Sequence, residues 1–425
     1  MNKIIVFLIF PIIIHSKILS VIEINRIGMR TSRHFKNDLI DKFYGRIMNL
    51  TPHGLNQLKN LGESIRKKYI EENNFLKYNY DANQFKIYSS ETQRSIFSSE
   101  GFITGLYPEN LISIKYQNDY LNLISSDTVP FFYEKEFFDN QKLIELNVLN
   151  LKKNHIISSG YCLYNGKILD EDIEDNNKEK NFDISNNEIK NAINDLSKYL
   201  NITLNHFSDI SIEHELRLLS DLYFVYKNHF NYQKNNLKTI SFNTEIIMKK
   251  NMLNYFYPNK GKITENIKIA STGFLKFIFN QFKEEKEEFE NNNSKNKFTV
   301  FSAHDISIVR LLEILFDKDS LNSYINNSVF NDDYFNILIP EYAYSLIFEL
   351  NFDDKKNFFY VKIYVNGNLL DVKFNGIENY ESENGKIYLD KFLELIENNI
   401  NESEFDKLDC VNAKSENDII IYDDI

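Results

Sequence analysis

The chain has 425 residues, 43% of them hydrophobic and 14% aromatic, with no tryptophan. That composition excludes a disordered or low-complexity protein and supplies enough apolar mass for a sizeable core. The formal charge of −12, from 49 basic and 61 acidic residues, excludes a nucleic-acid binder that works through overall charge, but not a local cluster of arginines.

In chain order, residues 1–16 read as a secretory signal peptide: Lys3 is the positive region, residues 4–14 are apolar, and Ser16 suits the cleavage site. The apolar run is short for a membrane span, and no later stretch approaches that length. Residues 18–24 form an apolar, β-branched run that predicts a buried strand, with Arg26 and Arg30 in the loop after it. Thr51 and Pro52 start a helix, with Leu55, Leu58, Leu61, Ile65 and Tyr69 on one face. A second strand is expected at 85–88, followed by Arg94 and a helix to residue 103.

Residues 141–257 are polar and helix-rich, and read as a mostly helical insertion with helices at 187–200, 212–228 and 244–257. The α/β pattern then resumes. A helix is expected at 272–286, a charged helix end and loop at 283–297, a strand at 298–302 leading to His304 and Asp305, and a helix at 306–316. Segments 344–352 and 358–365 alternate as a β-hairpin, a last helix spans 390–398, and residues 411–425 read as a flexible tail. The expected organisation is one discontinuous α/β unit, 17–140 plus 258–410, with the helical segment 141–257 inserted as a cap. It is an open, mostly parallel sheet flanked by helices.

Export permits disulfides, and the chain has two cysteines, Cys162 and Cys410. One bridge or two buried thiols fit the count; an even number in an exported chain favours the bridge. Asn49, Asn201, Asn292, Asn326 and Asn401 head Asn-x-Ser/Thr acceptors, which so asparagine-rich a chain also acquires by chance.

In open α/β sheets ligands bind at the carboxyl ends of strands. Arg26, Arg30, Arg94 and the pair His304–Asp305 each follow a predicted strand closely. Three planar guanidinium forks converging on one point would bind a tetrahedral anion, His304 would add a donor, and Asp305 would give a proton if burial kept it protonated.

These blocks resemble the histidine acid phosphatases, the branch containing lysosomal and prostatic acid phosphatases and phytases. The family's Arg-His-Gly-x-Arg-x-Pro reads here Arg26-Ile27-Gly28-Met29-Arg30-Thr31-Ser32. Leu50-Thr-Pro-His-Gly54 with Gln57, Leu61-Gly62 and Arg66 matches the next block, and Tyr88-Ser-Ser-Glu-Thr-Gln-Arg94 through Gly105-Leu-Tyr-Pro108 the one after. Phe301-Ser-Ala-His304-Asp305, Pro340-Glu-Tyr-Ala and Ile347-Phe-Glu-Leu350 complete the pattern, which covers nearly all of the chain and is weakest in the cap. The resemblance implies a phosphoglycerate mutase-like fold. It assigns Arg26, Arg30, Arg94 and His304 to phosphate, Asp305 to protonating the leaving group, and no metal or other cofactor. It supports pairing Cys162 with Cys410, and loosely sets Asp127 where relatives often have a histidine.

The departure is Ile27, which stands where active members carry the histidine that attacks phosphorus. Isoleucine has no lone pair to donate, and covalent phosphoryl transfer needs an in-line nucleophile. The expected protein is therefore a secreted or lysosomal/vacuolar binder of phosphate or a small phosphomonoester, impaired or inactive in turnover. The alternative is an active acid phosphatase using water or a substitute such as His34. A vestigial pocket is the third reading. No nucleic-acid partner or membrane span is expected, and a homodimer is left open.

Overall fold

The computed structural model describes residues 16–31, 48–110, 112–116, 144–149, 156–157, 162–165, 167–168, 180–200, 211–230, 240–258, 262–377 and 385–410. Residues 1–15, read above as a signal peptide, His34, Asp127, Asn201 and residues 411–425 lie outside them.

The first strand, β1 (Ser16–Arg26), is buried on both faces, and its side chains alternate between two cores. Val21 points into one, Ile22 and Ile24 into the other. A strand covered on both sides needs a near-continuous apolar run rather than an alternating one, which is why it stands out in the sequence. It begins two residues earlier than the apolar pattern implies and ends on Arg26 itself. Helix α1 (Pro52–Arg66) follows, with Thr51 accepting from the Gly54 amide at 3.1 Å. A π-helical turn at Lys67–Glu72 extends it and delivers Tyr69 to the core.

Next come β2 (Phe85–Ser90), α2 (Gln93–Leu106), β3 (Ile112–Tyr116) and β4 (Ile144–Leu149). Residues 144–149 fall inside the stretch expected to be helical, yet β4 pairs parallel with β2 in the main sheet. Ile144, Leu146 and Val148 alternate into the same core as α1 and α2, and that period-2 burial decides the outcome over the polar surroundings. A small ribbon, β5 (Leu163–Tyr164) and β6 (Lys167–Ile168), precedes helices α3 (Asn186–Leu200), α4 (Ile212–Phe230) and α5 (Phe242–Phe256). These three helices share a hydrophobic cluster of their own, including Ile193, Leu196, Leu216, Leu219, Leu222 and Met248. Further along α5, Leu253 and Phe256 join the main core.

Helix α6 (Glu265–Glu290) is longer than expected at both ends. Thr264 caps its start, and Lys297 pairs with Glu284, Glu285 and Glu288, so part of the charged run is folded helix rather than loop. Then follow β7 (Lys297–Ala303), α7 (Asp305–Leu315), and two helices the sequence pattern did not reveal, α8 (Lys318–Ser328) and α9 (Asp332–Leu338). The hairpin β8 (Ser345–Asp353) and β9 (Phe358–Val365), the short β10 (Asn368–Leu369) and β11 (Ile387–Tyr388), and helices α10 (Leu389–Glu397) and α11 (Glu402–Phe405) complete the described chain.

The main sheet runs β10-β9-β8-β1-β7-β2-β4-β3, with β11 on β9. From β1 to β3 all pairings are parallel, and β8 and β9 add an antiparallel flank. The fold is thus the mixed, mostly parallel α/β sheet with flanking helices that the sequence pattern indicated. Cys162 and Cys410 form a disulfide, with Cα atoms 4.4 Å apart, beside a two-way backbone bridge between Leu163 and Asp409. No helix among the described residues is long and apolar enough to cross a membrane.

Candidate anion-binding site

Adjacent parallel strands β1, β7 and β2 bring three loops to one edge of the sheet. Arg26 lies level with Ala303, and Ser89 with Ser302, so the residues just beyond, Ile27, His304 and Ser90, emerge side by side. The register therefore places two of the expected blocks, Arg26–Arg30 and His304–Asp305, next to each other, with the segment leading to Arg94 beside them.

The Arg26 guanidinium donates to the Pro340 carbonyl, lies 2.9 Å from the Asp305 carboxylate, and sits 4.4 Å from the Tyr342 ring centre. Arg30 reaches the same ring at 5.9 Å. Its fork donates two bonds, each 3.1 Å, to the two oxygens of Asp221 on α4, and a third to the Thr31 carbonyl. The Tyr342 hydroxyl stands 3.5 Å from the same carboxylate. Burial opposes the charge on Arg30, but Asp221 outweighs it and holds the guanidinium more firmly protonated than usual. Burial also pushes the Tyr342 phenol up to about 12, against the pull of Arg30.

His304 is the N-cap of α7 and is buried. Its Nε2 stands 3.3 Å from the Ser90 hydroxyl, which also bonds Ser95 at 2.8 Å. Ser95 is the neighbour of Arg94, and Arg94 is buried in the first turn of α2. One chain of hydroxyls thus connects the Arg94 segment to His304. Asp305 opens α7 and accepts from the Ile306 amide at 2.9 Å. His53 lies in the first turn of α1, half-buried.

Ile27 is 3% exposed. Its amide donates to Ala303 at 3.3 Å and its carbonyl accepts from Ala343 at 3.0 Å, so the backbone is fixed on both sides. The next amides are held by side chains: Gly28 donates to Ser98 at 3.0 Å and Met29 to Gln57 at 2.9 Å. The Arg26–Arg30 loop is thereby clamped between α1 and α2.

Two members were not singled out from the sequence. Tyr342 lies in the Pro340-Glu-Tyr-Ala block, where its type gave no hint that its ring would sit beside both arginines. Asp221 lies in the middle of an amphipathic helix, where a carboxylate usually marks the solvated face, and nothing local distinguishes it.

The model of the histidine phosphatase superfamily (branch 2) matches residues 14–366. Two Caenorhabditis elegans proteins, "Putative acid phosphatase F26C11.1" and "Putative acid phosphatase 10", are each 33% identical to this chain, over 78 and 70 residues. Those stretches cover 18% and 16% of this chain, and the chain spans less than a fifth of the length of these curated relatives. Among solved structures, the phytase from Citrobacter braakii superposes with a TM-score of 0.58 at 14% identity, and Hafnia alvei phytase in complex with tartrate with 0.57 at 12%. Each covers 92% of this chain and 99% of the other, a likeness of fold. With a family model running from before β1 to beyond β9, the chain belongs to branch 2 of the histidine phosphatase superfamily.

Proposed function

We propose that the protein binds phosphate or a small phosphomonoester among Arg26, Arg30, Arg94 and His304, and turns it over slowly or not at all. The observation that carries this reading is Ile27: a side chain with no lone pair, held between two cationic residues of one clamped loop. Cations there attract a tetrahedral anion, while attack on phosphorus needs an atom this position lacks. Asp305 is the proposed proton donor. Here it faces Arg26, and a phosphate arriving at Arg26 would free it. The leader-like residues 1–16 and the disulfide support export to an oxidising lumen or outside the cell.

Inorganic phosphate and vanadate should raise the melting temperature, since a ligand of the native state stabilises it. Phosphomonoesterase activity at acid pH should be near background and should rise by orders of magnitude in Ile27→His. Wild-type turnover equal to that of Ile27→His would overturn the impaired reading. A folded, phosphate-binding Ile27→His that stays inert would overturn the roles given to the other residues.

One observation favours an active alternative. The Ser90 hydroxyl stands within reach of His304, as a nucleophile stands beside a base. Wild-type activity abolished by Ser90→Ala would select that reading.

A further inference from the structure

We infer that Asp221 is a tethered competitor for the anion pocket and sets both its affinity and its selectivity. The inference rests on the proposed phosphate-binding reading and deepens it.

Arg30 offers a planar fork, and both of its Nη atoms bond the two oxygens of Asp221 at 3.1 Å. A phosphate engaging Arg30 bidentately would use the same two nitrogens. That edge cannot serve both acceptors, so a ligand that takes it must displace the carboxylate. A carboxylate left beside the bound anion would repel it, so displacement includes moving Asp221 away.

Asp221 is carried by α4, whose apolar side is packed into the α3–α5 cluster through Leu216, Leu219, Leu222 and Val225. That anchoring keeps the carboxylate at high effective concentration near Arg30. The Arg30 side chain is 9% exposed and that of Asp221 24%, so the pair is largely shielded and its carboxylate keeps partial contact with solvent. Tyr342 frames the pair, with its hydroxyl near Asp221 and its ring beside both arginines. Weak monoanions should fail to dislodge Asp221, whereas a phosphate dianion or its ester should succeed.

The test is calorimetric titration of inorganic phosphate into the full chain at one fixed pH, for wild type, Asp221→Asn and Asp221→Ala. Asn keeps the shape and removes the charge, and Ala covers the case in which Asn does not fold. The expected result is at least tenfold tighter phosphate binding in either variant, together with acetate binding that wild type lacks. Phosphate should also speed amide hydrogen exchange in α4 of the wild type. Equal, measurable phosphate affinity in wild type and variants would overturn the inference and leave the phosphate-binding reading standing. Absence of binding in all three proteins would overturn both. Binding in the variants alone would support the inference and overturn the reading that the wild-type protein binds phosphate.

Discussion

Gly28 and Gly54 meet backbone to backbone, so that a Cβ on Gly28 would stand 2.2 Å from the Gly54 carbonyl oxygen and a Cβ on Gly54 2.1 Å from the Met29 carbonyl oxygen. This contact seats the loop that carries Arg26, Ile27 and Arg30 on the N-terminus of α1. Neither partner is a flexible side chain that could step aside. Gly54→Ala is expected to cost about 1–3 kcal/mol through forced backbone shifts and to weaken phosphate-dependent stabilisation. Urea midpoints with and without phosphate check both effects; an unchanged midpoint would mean the two backbones are not in contact.

Several buried carboxyls make stability depend on pH. Burial pushes Glu23, in the middle of β1, up to about 8 despite hydrogen bonds from Ser345 and Asn25. It likewise raises Glu100 to about 7 and Glu313 well above the carboxylate range. In the unfolded chain such groups ionise near 4.5. The folded state therefore keeps protons that the unfolded state gives up. Stability from these groups is complete below that value and is lost as pH rises toward 8. For Glu23 alone the loss is on the order of 3–5 kcal/mol. The melting temperature should fall between about pH 5 and pH 8, and Glu23→Gln should flatten the slope. A variant with the wild-type slope would show that Glu23 does not titrate in this way.

The disulfide joins residues separated by 248 positions. Closing so long a loop restricts the unfolded chain, and Cys410→Ser should lower stability by about 3–5 kcal/mol in the chain-entropy picture. Denaturation with and without reductant measures it. The two backbone hydrogen bonds between Leu163 and Asp409 should keep the contact native in the reduced protein, so phosphate binding should survive.

The glycosylation acceptors are not equivalent. Asn292 is exposed in the turn after α6, with φ of 58°. Asn401 is committed: its side chain accepts from the Glu404 amide at 3.3 Å and donates to Glu265. A chain passed through a eukaryotic secretory pathway should carry a glycan on Asn292. Intact mass before and after glycosidase, in wild type and Asn292→Gln, gives the answer. Modification at Asn401 instead would mean that the α11 cap does not form.

Much of the sheet is legible in the sequence because strands buried on both faces must be apolar runs, as β1 and β7 show, and because the β8–β9 hairpin carries an alternating pattern. Helix α8 escapes notice because only Leu321 and Ile325 of its residues are buried hydrophobics, and its start depends on Asp317 accepting from the Asp319 and Ser320 amides. Arg26, Arg30, His304 and Asp305 are readable as residues at or just past strand ends. Asp221 is not, because its meaning arises only when α4 docks near a loop 191 positions away. Local pattern reports burial and caps; it does not report which distant charge completes an arginine's fork.

The order of strands bears on how the protein is made. Both hydrogen-bonded neighbours of β1 come from the last third of the chain, Lys297–Ala303 and Ser345–Asp353. During synthesis at about 5–20 residues per second, the first strand waits roughly 15–60 s without either partner. A nascent chain stopped before Lys297 leaves this apolar segment with both edges bare, an invitation to aggregate. Ribosome-bound intermediates should accordingly depend on chaperones until β7 has emerged, and no N-terminal fragment lacking β7 and β8 can assemble the loop edge on which Arg26 sits.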